Sequence, residues 1–256
     1  MKTMTTAEIG HELTASLKEL RMPTLRACYG EMAEMARRES LSYERYLLEL
    51  LRREREERHL SRIRRWLRQS GLPLEKALDG FDRGRLPVKV NRQVSVLLEG
   101  GFLDRRENVL AFGPPGSGKT HLLCALGQEL IHQGRRVLFR PCSLLVQELL
   151  IAKRDLVLAK VLKRLARYEV LIIDDIGYVE QSREEMEVLF TLLAERYERG
   201  SVMITSNLPF SQWERIFKDP MTTAAAIDRL VHHAVILELN LPSYRLEASK
   251  QRLQRE

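Results

Sequence analysis

Along residues 7–70 the apolar positions recur at helical spacing. Leu47, Leu48, Leu50 and Leu51 are followed by Leu60, Ile63 and Leu67, with no cluster of Gly or Pro between them. A period near 3.6 predicts amphipathic helices, and so a small all-helical module at the front of the chain. Breakers then gather: Gly71, Pro73, Gly80, Gly84 and Pro87 fall within 17 residues, which predicts a linker over about 71–90. We place the domains at 1–75 and 76–256. From residue 108 the pattern changes to short β-rich runs, 108–112, 136–140, 170–173, 202–205 and 234–237, separated by helical stretches at about 119–133, 143–167, 183–199 and 222–231. Strands alternating with helices predict an α/β domain, a parallel sheet with helices on both faces.

Composition narrows the class without naming a function. The chain has 256 residues, of which 44% are hydrophobic, enough for a sizeable core. No apolar run approaches the roughly 18 residues of a membrane helix, and the first ten residues lack the form of a signal peptide. A cytoplasmic protein is expected. The three cysteines, Cys28, Cys124 and Cys142, have neither CxxC nor Cys/His ligand spacing, so they read as core residues rather than a disulfide or zinc framework.

The net charge of +7 is unevenly placed: residues 1–106 hold 22 Lys+Arg against 16 Asp+Glu. Within them, Arg52 to Arg68 contains eight arginines and three glutamates, net +5 over 17 residues, a candidate phosphate-contacting surface. The alternative is a solvated helix with internal pairs such as Glu54 to Arg58. Arg62, Arg64, Arg65 and Arg68 have no acidic residue near them in sequence.

The first β run ends in Gly113-Pro114-Pro115-Gly116-Ser117-Gly118-Lys119-Thr120, which matches GxxxxGK[ST] between a strand and a helix. Glycines at this spacing let backbone N–H groups close round phosphate oxygens, and the helix N-terminus adds its dipole. Lys119 is expected to reach the β- and γ-phosphates of ATP and Thr120 to ligate Mg2+, with Gly113 to His121 forming the cradle. A dinucleotide fold is disfavoured, because a GxGxxG match begun at Gly116 and Gly118 would need its third glycine at His121.

Val170-Leu171-Ile172-Ile173-Asp174-Asp175 reads as a buried strand ending in two carboxylates, the form of a Walker B element. Asp174 is expected to hold the metal and Asp175 to polarise the attacking water. Many ATPases carry Glu at the second position, so the shorter Asp175 could slow turnover. The run 202–207 ends in polar residues, and Asn207 reaches the γ-phosphate as a water-positioning sensor if its strand lies between the phosphate-loop strand and the Asp174 strand. Arg229, on the helix before the last strand, is a candidate finger for a neighbouring subunit's nucleotide, with Arg245 a second candidate. His232 and His233 are adjacent and read as structural.

The chain closely resembles the IstB-like family, ATP-binding transposition helpers of bacterial insertion sequences and relatives of the DnaC-type helicase loaders. The residues that carry this are Gly113 to Leu122, Leu171 to Tyr178, Ile204 to Phe210 with Trp213 following, Asp228 to Ala234 and Ser243 to Arg245. The resemblance implies an AAA+ P-loop ATPase with a five-stranded parallel sheet and little or no helical lid. It implies homo-oligomers on double-stranded DNA that recruit or stimulate the transposase of the same element. Carried over by position, Lys119 and Thr120 bind nucleotide, Asp174 and Asp175 serve metal and water, Asn207 is the sensor and Arg229 the finger. Lys153, Arg154, Lys160, Lys163, Arg164 and Arg167, net +5 with Asp155 over 15 residues, offer a second basic face.

Three readings keep the phosphate loop. The first is an ATPase that times assembly and release on target DNA; the second is an ATP-gated DNA-binding scaffold in which turnover is incidental; the third keeps the ATPase and makes a replicative helicase its partner. A small-molecule kinase is disfavoured, because the basic front module and a finger acting in trans would have no purpose in it.

Overall fold

The computed structural model describes residues 4–177, 182–213, 216, 220–244 and 246–247. Contacts divide the chain into two compact units, 1–65 and 66–256.

The first unit contains α1 (Thr6–Glu19), α2 (Pro23–Arg38) and most of α3 (Tyr43–Ser70). Its core is small: Leu25, Met32 and Leu50 are buried, with Leu17, Met22, Tyr29 and Tyr46 packed on them. The helix ends are therefore stabilised by polar contacts. Thr5 and Glu8 form a capping box at α1, which satisfies two amides reciprocally. At α2, Met22 offers no capping oxygen and Pro23 no N–H, so the exposed amides fall to Thr24 and Leu25. Glu54 of α3 accepts from both, at 2.9 and 3.0 Å, and from Arg58 Nε at 2.7 Å.

Glu54 is only 3% exposed. Burial pushes its carboxyl pKa up, but the Leu25 amide, the Arg58 guanidinium and the Thr24 amide outweigh this and hold it below the usual glutamate value. The sign follows from linkage: a carboxylate with a depressed folded pKa contributes stability that is complete above the unfolded value, about 4.3, and is lost as pH falls through the folded value. Glu54→Gln removes that contribution and is expected to destabilise the first unit by about 1–3 kcal/mol at neutral pH. Urea unfolding at pH 7 and below pH 4 checks it; the gap between wild type and variant should shrink in acid.

Part of the basic run is internally neutralised. Arg52 pairs with Glu49 at 2.9 Å and Arg58 with Glu54. Arg64, which has no acidic neighbour in sequence, bonds to Glu57 seven residues earlier, two helical turns away.

The second unit is a five-stranded parallel sheet, β1 (Asn108–Phe112), β2 (Val137–Pro141), β3 (Val170–Ile176), β4 (Ser201–Ser206) and β5 (Ala234–Glu238), in the order β2-β3-β4-β1-β5. The predicted strands are all present, two to three residues longer at most. Helices α4 (Val88–Leu98), α5 (Gly101–Asp104), α6 (Lys119–His132), α7 (Cys142–Arg154), α8 (Leu158–Leu165), α9 (Arg183–Arg196) and α10 (Pro220–Val231) connect and cover them. Residues 170–173 are fully buried, as a central strand covered on both faces requires. Among the described residues no helix is long and apolar enough to cross a membrane.

Two local expectations are corrected. The helix predicted over 143–167 is two helices, because Leu156 adopts a left-handed φ of 59°. Val157 N–H bonds to Ala152 O and Leu156 N–H to Lys153 O, a Schellman stop that ends α7 and redirects α8 so that Leu165 is buried. Lys153 and Arg154 consequently lie on a different helix from Lys160, Lys163 and Arg164. Lys153 pairs with Glu187, Arg154 with Asp155 and Arg164 with Glu148.

The breaker-rich stretch is not a free linker either. Leu72, Leu86 and Val90 are buried, and Gln128 of α6 donates to the carbonyls of Pro73, Leu74 and Lys76 at 3.1–3.4 Å. The segment is wrapped on α6 through its own backbone oxygens.

Candidate functional site

At the C-terminal ends of β1, β3 and β4 the sequence-predicted residues converge. The phosphate loop leaves β1 and enters α6, and its turn is possible only with glycine. Gly113, Gly116 and Gly118 have φ of 151°, 79° and 96°, and a Cβ on Gly113 would stand 2.3 Å from Leu239 O. Gly118 is the N-cap of α6 and supplies no side chain, so the first amides of that helix are left for an incoming anion.

Lys119 Nζ lies 2.8 Å from Gly113 O, 2.9 Å from Pro114 O and 2.6 Å from Asn207 Oδ1. The last contact depends on strand order: β4 does lie between β1 and β3, which brings Asn207 to the phosphate loop. Thr120 Oγ1 donates to Asp174 Oδ1 at 2.8 Å. Asp175 is exposed and has a left-handed φ of 60°, which is costly for a residue with a side chain and falls where the pairing of β3 with β4 shifts register.

Sequence reasoning gave no role to Thr205. Its hydroxyl donates to Asp174 Oδ1 at 2.7 Å and accepts from Asp175 N–H at 2.7 Å, so one β4 side chain ties down both carboxylate residues. A hydroxyl at the end of a buried apolar strand beside an acidic strand end was the available signal. The following turn is anchored by aromatic packing: Trp213 is fully buried, donates Nε1–H to Leu208 O at 3.1 Å and stacks near Phe112 and Phe210.

A cleft of about 310 Å3 opens over the loop, lined by Pro115 to His121, Asp175, Asn207, Phe81, Arg85 and Tyr244 among others. His121 is held by Ala77 O at 2.9 Å and meets Phe81 edge-on at 5.3 Å, so it shapes the wall of the cleft. Two observations fit a nucleotide with a hard cation. Ser117 Oγ, in the loop, is buried with no hydrogen-bond partner, and Thr120 and Asp174 present an all-oxygen pair at 2.8 Å, the donor chemistry of magnesium.

Arg229 is not brought to this cleft. Its Nη1 donates to Ala225 O at 3.0 Å and its guanidinium lies 5.0 Å from the Phe190 ring centre. It sits at the strand-start end: Asn108, the first residue of β1, donates to Leu230 O and accepts from Val202 N–H. About 13 Å of strand separates that end from the phosphate loop. Arg245 and Tyr178 lie outside the described residues.

The family model for the IstB-like ATP binding protein matches residues 15–252. An insertion sequence ATP-binding protein of Sinorhizobium fredii is 43% identical over 92% of this chain and 81% of its own length. The insertion sequence IS21 ATP-binding protein of Pseudomonas aeruginosa is 39% identical over 94% of this chain and 91% of its own. Among solved structures, the DnaC helicase loader superposes with a TM-score of 0.53 at 20% identity, over 64% of this chain and 96% of that one. That last likeness is one of fold alone.

Proposed function

Because the chain belongs to the IstB-like ATP-binding protein family, we propose that it is an ATPase of transposition that assembles on duplex DNA when ATP is bound and there recruits or stimulates a partner transposase. The observation that carries the hydrolytic part is the convergence of Lys119, Thr120, Asp174, Asp175 and Asn207 at the ends of three adjacent strands. The transposition part rests on relatives that are named for insertion sequences.

The residues act as follows. Backbone amides of the loop and the start of α6 bind the phosphates. Lys119 exchanges its contacts to Gly113 O and Pro114 O for phosphate oxygens while keeping Asn207 within reach. Thr120 and Asp174 would hold a magnesium ion, which supplies positive charge to the β- and γ-phosphate oxygens. Asp175, fixed through its amide by Thr205, orients the attacking water, and Asn207 positions that water against the γ-phosphate. Arg229 serves the nucleotide of the next subunit, since its own lies at the other end of β1. Turnover then depends on assembly.

A second reading, in which nucleotide is a switch and hydrolysis incidental, is favoured by the short, backbone-strained Asp175. Phosphate release with magnesium, with and without duplex DNA, separates the two. DNA is expected to stimulate the wild type and to leave Asp175→Asn at its unstimulated rate; equal slow rates in both would favour the switch.

A further inference from the structure

At the strand-start end of the sheet, opposite the nucleotide cleft, two turns meet. One follows α9 and carries Glu198; the other follows α10 and carries His232 and His233. Their ligand atoms, one carboxylate oxygen and two imidazole nitrogens, all lie within 4.8 Å of one another, and all three side chains are exposed. We propose that Glu198, His232 and His233 form a binding site for a divalent transition-metal ion of the zinc type. This goes beyond the ATPase reading and does not depend on it.

The chemistry selects the ion. Two imidazoles and one carboxylate suit zinc and its neighbours rather than magnesium or calcium, which prefer oxygen donors throughout. Three protein ligands leave positions for water, so the site need not be closed. The separation is close to what an ion requires: ligands round a tetrahedral zinc with bonds of about 2.0 Å stand roughly 3.3 Å apart. Rotation of exposed side chains closes the difference.

The surroundings prepare these groups. Tyr197 Oη lies 3.0 Å from His232 Nδ1, a contact that orients that ring; with Nδ1 engaged by the phenol, Nε2 would be the atom offered to an ion. The His232 and His233 rings are held 4.0 Å apart between centres. His233 is fixed by its backbone, whose carbonyl accepts from Asn108 N–H at 2.7 Å, and His232 by its backbone N–H, which donates to Asp228 O at 3.0 Å. Glu198 has a left-handed φ of 57°, a conformation that costs a residue with a side chain and that places its carboxylate beside the histidines. Adjacent histidines on a regular helix or strand would diverge. In a turn they face one ion, which is why sequence spacing alone read them as structural. An ion there would tie the turn after α9 to the end of the helix bearing Arg229.

The test uses the full-length protein without an affinity tag. Zinc binding is followed by competition against a chromophoric chelator, and cobalt by its visible d–d absorption. Wild type is expected to bind one ion per chain with micromolar affinity, to show a four- or five-coordinate cobalt spectrum, and to unfold at a higher temperature with zinc than with magnesium. His233→Ala and Glu198→Gln should each weaken zinc binding about 10–100-fold. Tyr197→Phe should weaken it less, and His132→Ala, on α6 and outside this group, should leave it unchanged. Binding of fluorescent ATP analogue should be unaltered in all four, which keeps failure of this site distinct from failure of the nucleotide site. No zinc binding by wild type, or binding equally strong in His233→Ala and Glu198→Gln, would overturn the assignment.

Discussion

Lys119→Ala is expected to weaken ATP binding about 100-fold or more and to abolish measurable hydrolysis, while the protein stays folded. The ammonium is buried, with 4% of the residue exposed, and is held by two carbonyls and Asn207 Oδ1. An incoming phosphate meets a charge that is already desolvated and oriented, and a charge-assisted bond in such a place is worth far more than one in water. Removing the side chain also removes a buried charge from the apo protein, so stability changes less than affinity. Titration with a fluorescent ATP analogue measures the loss, and circular dichroism checks the fold. Wild-type affinity in Lys119→Ala would place the nucleotide elsewhere.

Arg229→Ala is expected to bind ATP as the wild type does and to lose about 1,000-fold in DNA-stimulated turnover, the scale of an arginine finger. The geometry behind it is the position of Arg229 at the start of β1, with its guanidinium against Phe190 and a full strand length from its own phosphate loop. Mixing sharpens the result. Arg229→Ala has an intact nucleotide site and Asp174→Asn an intact finger, so a mixture should regain activity that neither has alone. Full stimulated turnover by Arg229→Ala would remove the finger role.

The sheet and the phosphate loop were legible because each is local. Val109–Phe112 is a continuous apolar run, and the spacing Gly113 to Thr120 states its own backbone geometry. Asn207 was legible on a condition, the strand order, which no local pattern supplies. What escaped notice was made by tertiary contact. Residues 71–87 look like a linker because Gly and Pro break helices, yet their carbonyls are bonded by Gln128 and His121 of α6. Thr205 is one hydroxyl in a buried strand until Asp174 is set beside it. Glu54 reads as an i,i+4 partner of Arg58, which it is, and its second task of capping α2 comes from thirty residues away. The stop at Leu156 had no glycine to announce it.

The most direct measurement is duplex-DNA affinity by fluorescence anisotropy at several salt concentrations, with ATP and then ADP at each. We expect tighter binding with ATP than with ADP, and an affinity that falls steeply with salt, as release of counterions from several neutralised phosphates requires. Equal, weak binding with both nucleotides would contradict a nucleotide-controlled assembly on DNA and would turn the basic faces of α3 and α8 into ordinary solvated surfaces.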